Sequence, residues 1–316
     1  MEESTTVSLS TSPETYFEFK PIKKQAILIL KKSFIPIFFV SFILNVLFII
    51  DGTLVPGLDI SFRFGSVSLQ SFYIKIFSNF ASSLCMLLVS NSNSIILTMI
   101  VLLLLIITIK LFLINPLELG ARKYFIMLNR KNENKLSNLL FFFSNNYISN
   151  VKKMVRRDLM LFATALLGFF INKLLLQALY QNIFQNYWFR PISIVAVISI
   201  GLFSFLISFS LFIVAMYTYK WVPYIIAENT DITGYRAMKI SENVMHGYKW
   251  KTFLFELTFL LWYILGTLAF GFGVLFVNSY MDVSKAVLYE RMRGKVIKMN
   301  KAEYWELGYE SNPFKN

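Results

Sequence analysis

The chain has 316 residues, of which 56% are hydrophobic and 33 are phenylalanine, and its formal net charge is +13 at pH 7. The mean hydropathy is +0.58, so the chain has more apolar residues than a soluble protein of this length needs to form its core. The basic residues form no compact basic domain and come with no aromatic binding motif, so we expect no nucleic-acid partner.

Long continuous apolar runs predict helices that span a membrane. The run at 94–114 has Lys110 as its one charged residue, and about 20 apolar residues in a helix cross a hydrocarbon core about 30 Å thick. The runs do not alternate with polar residues, which favours helices over the strands of a membrane barrel. We therefore predict an all-α, polytopic transmembrane helix bundle with six spans. The predicted spans are residues 33–50, 95–114, 159–179, 192–217, 253–270 and 273–290.

The predicted spans form a single transmembrane domain at 33–293, between a polar and basic segment at 1–32 and a tail at 294–316. Gly-Phe-Gly at 271–273 joins the last two spans, which predicts a tight turn between antiparallel helices. The stretch 66–90 is rich in Phe and Leu but is interrupted by Ser and Asn. It predicts either a re-entrant helix or an additional span.

The distribution of lysine and arginine predicts the orientation of the spans. When the N-terminus is placed in the cytoplasm, 25 of the 31 basic residues lie in inside segments and three lie in outside loops. This asymmetry follows the positive-inside rule, so we expect a protein of the cell membrane with both termini cytoplasmic. The inside segments also predict attraction to anionic lipids of the inner leaflet, at roughly 1 kcal/mol for each basic residue near the surface.

Two inside segments have the residue spacing of amphipathic helices that lie on the cytoplasmic face. Residues 233–250 begin with Thr233 as a candidate N-cap and contain Gly247 as a candidate helix end. The apolar positions on the shared face are Ala237, Ile240, Val244 and Tyr248. Residues 136–157 show a similar pattern. Such helices either connect the spans and shield the bundle from water, or they form a surface on which a partner docks.

Proline occurs at the inner ends of two predicted spans, in the motifs at 114–120 and 221–229. Because proline cannot donate the helical hydrogen bond, it bends a helix at that point. The candidate inner-face residues of these motifs are Pro116, Glu118, Pro223, Tyr224 and Glu228. Arg122 follows Glu118 by four residues, so we expect these two side chains to form an ion pair.

The motifs VPYIIAEN (222–229) and NPLELG (115–120), together with the runs at 247–266 and 271–290, carry a resemblance to a known family. The chain resembles the bacterial integral membrane proteins called domain of unknown function nine-hundred-seventy-five. The likeness is clearest at 222–293 and around the first of the two proline motifs. It implies a six-helix bundle in the inner membrane, and it implies no reaction.

The chain departs from the pattern of that family at several positions and is in this respect a divergent member. Phe212 and Ile213 stand where the family usually has proline and glycine, and Ser279 and Thr230 each stand where it usually has proline. The resemblance also implies a distant kinship with the membrane domain of glycerophosphodiester phosphodiesterases.

The sequence contains no arrangement of residues that is typical of an enzyme. His246 is the only histidine and Cys85 the only cysteine, too few for a metal site built from these residue types. No G-x-S-x-G motif provides a nucleophile for a catalytic triad, and no P-loop motif provides a nucleotide site. We predict a protein that is not an enzyme and that has no catalytic residue, metal or cofactor.

Polar residues form a stripe on the last predicted span. Asn278, Asp282, Lys285 and Tyr289 are separated by four, three and four residues, so they lie on one face of a helix. The spacing allows Asp282 to pair with Lys285. Charges within a span usually face the interior of the bundle or a cavity.

Two further charged residues lie near the inner ends of other spans, where they predict a second intramembrane pair. Glu256 belongs to the fifth span and Lys110 to the second, and the two lie at a similar predicted depth. The whole set of six polar residues is therefore either a clamp that holds the spans together or the lining of a polar path.

These observations lead to two hypotheses about function. The first is a non-enzymatic scaffold, assembly or protection factor that acts through its inner-face helices and the outer loop at 51–94. The second is a transporter or lipid-handling protein that uses the polar stripe. Both include anionic membrane lipids as partners, and the first also includes a membrane protein partner of unknown identity.

Overall fold

The structure is a computed structural model that describes residues 17–54, 101, 104–131, 135–184, 190–268 and 272–310. Within these ranges the regular secondary structure is helical, and no strand occurs among them. The all-α class is therefore confirmed for the described part of the chain. The predicted helix at 66–90 and nearly all of the predicted outer loop at 51–94 lie outside the described residues.

Besides the α-helical residues 101 and 104–109, the described residues form eleven α-helices. They are α1 (Phe19–Lys32), α2 (Phe34–Leu54), α3 (Asn115–Lys131), α4 (Phe141–Ser144), α5 (Tyr147–Phe184), α6 (Arg190–Thr218), α7 (Val222–Glu228), α8 (Gly234–Met245), α9 (Lys249–Leu257), α10 (Leu260–Leu268) and α11 (Phe272–Lys298). A π-helical turn, Lys110–Ile114, precedes α3, and 3₁₀ turns occur at Leu136–Leu139 and Trp305–Leu307.

Four helical stretches in the described residues are long and apolar enough to cross a membrane. They are Leu104–Arg130, Tyr147–Leu175, Ser199–Glu228 and Lys249–Leu268. The helices α1 and α2, which are bent by 108° at their junction, make a fifth when the bent pair is counted as one span. The structure thus supports four or five candidate spans, where the sequence analysis predicts six.

Helix α11, which contains the sixth predicted span at 273–290, is not among these candidates because polar residues interrupt its apolar sequence. It packs against α1, α2, α3, α8 and α10. All nine residues from Met281 to Tyr289 are buried, so protein surrounds this part of the helix on every side. The neighbouring helices, rather than lipid, provide the environment for its polar side chains.

Helices α5 and α6 form a hairpin that turns most of its apolar surface outward. The two helices pack closely where a Cβ added to Gly168 would lie 3.0 Å from the Cβ of Ser208. Asn172 donates a hydrogen bond of 2.8 Å to the hydroxyl of Ser208 and accepts one of 2.5 Å from Ser204. Large apolar side chains on the outer faces, such as Phe203, are exposed. Such an extended apolar surface suits contact with lipid, in which helices associate through small and polar residues.

The apolar spacing of the segment at 136–157 predicts one helix, but the structure divides this segment into several elements. Its first part forms the 3₁₀ turn Leu136–Leu139 and the short helix α4, and its last part is the beginning of the long helix α5. Asn146 interrupts the segment with a positive φ of 48°, a conformation that asparagine tolerates better than most residues. The 3₁₀ turn packs tightly on α3, because a Cβ on Gly120 would lie 1.9 Å from the carbonyl oxygen of Leu139.

Helix α8 lies within the predicted helical segment at 233–250. The side chain of Thr233 caps it by accepting a hydrogen bond of 3.3 Å from the backbone N–H of Arg236. Gly247, just beyond its end, has a positive φ of 78°. The predicted apolar positions Ala237, Ile240 and Val244 are fully buried in the protein core. The apolar face of α8 therefore contacts other helices.

Candidate functional site: a buried polar stripe on helix α11

The polar stripe begins at Asn278, which joins three helices. Its side-chain amide donates a hydrogen bond of 2.8 Å to Asn45 on α2. Its carbonyl oxygen accepts a hydrogen bond of 2.5 Å from the hydroxyl of Tyr263 on α10. All three side chains are buried. Asn278 thus connects α2, α10 and α11 through polar contacts inside an apolar environment.

One turn further along, Asp282 faces Arg122 of α3. The distance between Oδ1 of Asp282 and Nη1 of Arg122 is 3.5 Å, and Asp282 is fully buried. Arg122 also contacts Glu118, at 3.7 Å, so the ion pair predicted from their i,i+4 spacing is confirmed. Arg157 of α5 approaches the same Glu118 carboxylate at 3.2 Å. A chain of alternating charges therefore links α11, α3 and α5.

Lys285 contacts a second cluster of charges. Its Nζ lies 3.2 Å from Oε1 of Glu256 on α9. The same carboxylate forms an ion pair with Lys220 and accepts a hydrogen bond of 2.6 Å from the hydroxyl of Tyr217, at the end of α6. One buried carboxylate is thus shared by two ammonium groups and a phenol, and it ties α11 to α9 and to the segment between α6 and α7.

Tyr289 ends the stripe at a third cluster, where its hydroxyl donates a hydrogen bond to Glu228 of α7. Glu228 also forms ion pairs with Arg130 of α3 and with Arg293, the latter at 2.7 Å. Arg293 continues to the tail of the chain, because its guanidinium donates a hydrogen bond of 2.7 Å to the carbonyl of Leu307. Each carboxylate of the three clusters named so far has a cationic partner.

The four predicted stripe residues are therefore all buried on α11, but the ion pairs of the two charged ones run between helices. Asp282 pairs with Arg122 and Lys285 with Glu256, so a pairing between these two neighbours on α11 does not describe the site. The sequence predicts which residues share a helix face. It does not predict which helix packs against that face, because this depends on the tertiary fold.

The predicted pair between Glu256 and Lys110 is wrong. Glu256 takes both of its ion-pair contacts from Lys220 and Lys285. Lys110 is buried in the π-helical turn, where its charge acts on Glu118 and Asp158. The prediction fails because it rests on depth alone. Two residues at the same depth in a bundle can belong to helices that are not adjacent.

The two proline motifs lie where α-helices begin: the first follows a π-helical turn and the second opens α7. Pro116 is the second residue of α3, directly after the π-helical turn in which the N–H of Asn115 bonds to the carbonyl of Lys110. The wider π-helical turn accommodates a proline whose ring would clash with the carbonyl four residues earlier in a regular helix. Pro223 occupies the first turn of α7, a position where its missing N–H leaves no bond unmade.

Tyr224, the residue after the second proline, belongs to an aromatic cluster beside the stripe. Its ring lies 4.9 Å from that of Tyr289 and 5.2 Å from that of Trp221. The guanidinium of Arg122 lies 5.2 Å from the centre of the Tyr224 ring, and its Nη1 donates a hydrogen bond of 3.4 Å to the Tyr224 hydroxyl. This cluster shields the ion pairs on the α3 side and holds Arg122 in position.

Most of the cationic partners are residues that sequence reasoning does not single out. Arg122 is the exception, because its spacing from Glu118 is visible in the sequence. Four cations belong to basic segments that the positive-inside rule already accounts for: Arg157 and Arg293, which are buried, and Arg130 and Lys220, which are partly buried. No pattern in the sequence distinguishes them from exposed basic residues. Because basic residues are abundant at the ends of the spans, the sequence does not show which of them have partners in the core.

The arrangement provides electrostatic contacts between helices. Among the described residues no group of three or more His, Cys, Asp or Glu is placed to hold a metal ion. Buried ion pairs of this kind gain little net stability over apolar packing, but they strongly disfavour any arrangement that separates the partners. Such contacts fix which helices adjoin one another.

The chain is of the class of proteins that have helices long and apolar enough to cross a membrane. Comparison with protein families also assigns it to a family. The family model described as "Protein of unknown function (DUF975)" matches residues 58–296. The chain therefore belongs to this family, as the motifs at 115–120 and 222–229 indicate. A comparison with curated proteins finds no match, and a comparison with solved structures finds none.

Proposed function

We propose that this chain is a non-enzymatic scaffold, assembly or protection factor of the cell membrane. In this role it presents a rigid bundle to a membrane protein partner and carries out no reaction. Helix α11 is the centre of the bundle, and its polar stripe holds the surrounding helices in a fixed arrangement.

One observation carries the proposal: the stripe is closed by contacts between helices. Asn278, Asp282, Lys285 and Tyr289 are all buried, and each contacts a polar side chain of another helix. A path for a polar solute needs polar groups that face water or the solute in at least one state. Groups that contact one another in a packed core serve cohesion instead.

The arrangement of the chain at one end of the bundle supports a location of both termini on the cytoplasmic side. The ring of Phe17, at the start of the described chain, stacks on that of Tyr248 at 5.6 Å. Lys295, at the end of α11, lies 3.5 Å from the centre of the same Tyr248 ring. The start of the described chain and the end of α11 thus meet at the segment between α8 and α9. The excess of lysine and arginine in these segments favours the cytoplasm for this end.

A transporter or lipid-handling protein is the second candidate. The cluster of Glu256 with Lys220 and Lys285 favours it, because this cluster has two cations and one carboxylate and could take a further anion. The distant kinship with the membrane domain of glycerophosphodiester phosphodiesterases, which the family resemblance implies, is part of this second candidate.

Native mass spectrometry of the protein, extracted gently from its own membrane, tests the proposal. We expect a polypeptide that co-purifies at a fixed stoichiometry and that stays bound in a Lys285→Met variant at a temperature where this variant is folded. The scaffold proposal fails if no polypeptide co-purifies while a small solute is bound and is lost in Lys285→Met. That second result supports the transporter candidate.

A further inference from the structure

A cavity of about 420 Å³ lies between the start of α5 and the loop that leads into α8, apart from the polar stripe. Three cationic side chains of α5 line it: Lys152, Lys153 and Arg156. The opposite wall is the segment 230–234, which contains Asp231 as its one carboxylate. The cavity is therefore a site of net positive charge, and neither the family nor the proposed scaffold role assigns it a ligand.

The walls of the cavity are fixed by contacts that do not involve a ligand. Lys153 is only 9% exposed, and its ammonium group binds the carbonyl of Thr230 and, at 3.4 Å, the side chain of Asn150. Helix α8 approaches α5 closely, since a Cβ on Gly234 would lie 3.2 Å from the Cα of Lys153. The backbone N–H of Asp231 donates a hydrogen bond of 2.9 Å to Asn229. Because the cavity is already formed, a ligand would bind without ordering it first.

The charges of the cavity suit a phosphate group. Lys152 and Arg156 are exposed, so their side chains are available to a ligand, and Lys153 adds a third, fixed positive charge. The N-terminus of α8, which begins at Gly234, opens on the same cavity and favours an anion there. Arginine and lysine side chains are the usual partners of phosphate oxygens in proteins.

The surface of α5 beyond the cavity changes from basic to apolar along one face. Lys152 and Arg156 share this face with Leu159, Leu167 and Phe170, because the five residues follow helical spacing. Leu159 is 60% exposed, Leu167 60% and Phe170 52%. The distance from Leu159 to Phe170 along the axis is about 16 Å, which is about half the thickness of a hydrocarbon core. The face thus has the polarity and the length of one phospholipid within a single leaflet.

We propose that this cavity binds the phosphate headgroup of an anionic membrane phospholipid, whose acyl chain lies along the apolar face of α5. The lipid would be a specific ligand held at one place, in contrast to the diffuse attraction that all basic segments exert on an anionic leaflet. Its phosphate would contact Lys152 and Arg156 from the open side of the cavity.

Titration of the detergent-solubilised full-length chain with phosphatidylglycerol, followed by native mass spectrometry and thermal unfolding, tests the proposal. We expect one tightly bound lipid and a rise in the melting temperature, with no such effect from phosphatidylcholine. The double substitution Lys152→Gln with Arg156→Gln should weaken binding roughly 30-fold, from the usual contribution of a basic residue near an anionic headgroup. Both residues are exposed, so the fold should survive this change.

A matched control removes the same charge elsewhere. Lys298 and Lys301 are exposed lysines at and beyond the end of α11, and we expect Lys298→Gln with Lys301→Gln to leave the affinity unchanged. Equal weakening by the two double variants would overturn the proposal, because it would mean diffuse attraction only. A last experiment replaces the lipid by inorganic phosphate. If millimolar phosphate raises the melting temperature as much as the lipid does, the ligand is a free phosphate and the lipid assignment is wrong.

Discussion

Asp282 illustrates how one buried charge determines the packing of several helices. It contacts Arg122, which in turn contacts Glu118, so the ion pairs join α11 to α3 and, through Arg157, to α5. The net contribution of such pairs to stability is small, because both partners lose their hydration. The loss of one partner is costly, because the other charge stays buried.

The pair between Asp282 and Arg122 should show this asymmetry. We expect Asp282→Asn to lower the free energy of unfolding by about 3 kcal/mol and Arg122→Gln by at least as much. The double variant should cost less than the sum of the two, by about 1 kcal/mol or more, because neither charge is then left behind. Thermal or denaturant unfolding in detergent measures all three variants.

An exposed ion pair of the same protein is the control for this cycle. Lys239 and Glu242 lie 3.0 Å apart on α8 with about half of each side chain exposed. We expect Lys239→Gln to change the unfolding free energy by less than about 0.5 kcal/mol. A cost for Asp282→Asn as small as this would show that the stripe does not hold the helices together.

Glu306 in the tail provides a pH-dependent contact outside the candidate spans. The guanidinium of Arg236 donates two hydrogen bonds to its carboxylate, at 2.6 and 2.8 Å, and these bonds hold the pKa of Glu306 below its ordinary value of 4.5, although burial acts in the opposite direction. The stabilisation is therefore complete above pH 4.5 and is lost as the pH falls through the lowered pKa.

We expect the melting temperature of the native chain to exceed that of Glu306→Gln at pH 6. This difference should shrink as the pH is lowered below 4.5, because protonation makes the native side chain neutral as well. Melting curves of both proteins between pH 6 and pH 3, in the same detergent, give the difference directly. A difference that stays constant over this interval would mean that the ion pair contributes nothing.

At the scale of single residues, the sequence predicts which residues share a face but not which partner each one meets. The stripe on α11 and the pair of Glu118 with Arg122 follow from helical spacing, and both are present. The pairing of Lys285 with Glu256 joins two predicted candidates that were assigned to other partners, Lys285 by helical spacing and Glu256 by its predicted depth. Contacts between helices depend on which helices pack side by side. A periodic pattern within one helix does not contain this information.

At the scale of the elements, close backbone contact between α10 and α11 holds the last hairpin together. A Cβ on Gly273 would lie 2.6 Å from the Cα of Gly266, and a Cβ on Gly266 would lie 2.9 Å from the backbone of Gly273. Both contacts are with main-chain atoms, which cannot move aside without shifting a helix. This contact allows Tyr263 of α10 to reach Asn278 of α11.

Substitution of either glycine by alanine should therefore separate the two helices. We expect Gly273→Ala to lower the free energy of unfolding by about 2 kcal/mol or more, the usual cost of overpacking a rigid contact. Leu268→Ala, at an exposed position near the end of α10, should have little effect. Equal stability of the two variants in a detergent melting experiment would mean that the hairpin tolerates a wider separation.

The element boundaries were predictable where apolar runs are long and uninterrupted. Helix α2 covers the predicted span 33–50 except its first residue, α6 covers the predicted span 192–217, and α5 contains the predicted span 159–179. The prediction of one helix at 136–157 is wrong, because local backbone chemistry at Asn146 interrupts the segment and apolar spacing alone does not register such a break.

At the scale of the whole molecule, the number of spans is the quantity that the sequence determines least well. Four or five described stretches pass as spans by length and composition, and α11 does not, although it is the most deeply buried long helix of the described part. A helix that is surrounded by protein needs no apolar surface for lipid. Hydropathy therefore loses its meaning as a span indicator for the central helix of a bundle.

The central claim is that the polar stripe is closed and holds the bundle together, rather than lining a path. The most direct test is the reactivity of cysteines at positions one turn from Asp282 on either side, in a Cys85→Ser background. A small water-soluble thiol reagent, applied in native membranes, should leave Asn278→Cys and Ala286→Cys unmodified and should modify Ser137→Cys, which is exposed. Modification of the two cysteines on α11 at the rate of Ser137→Cys, in protein that is still folded, would contradict the claim and indicate a water-accessible path.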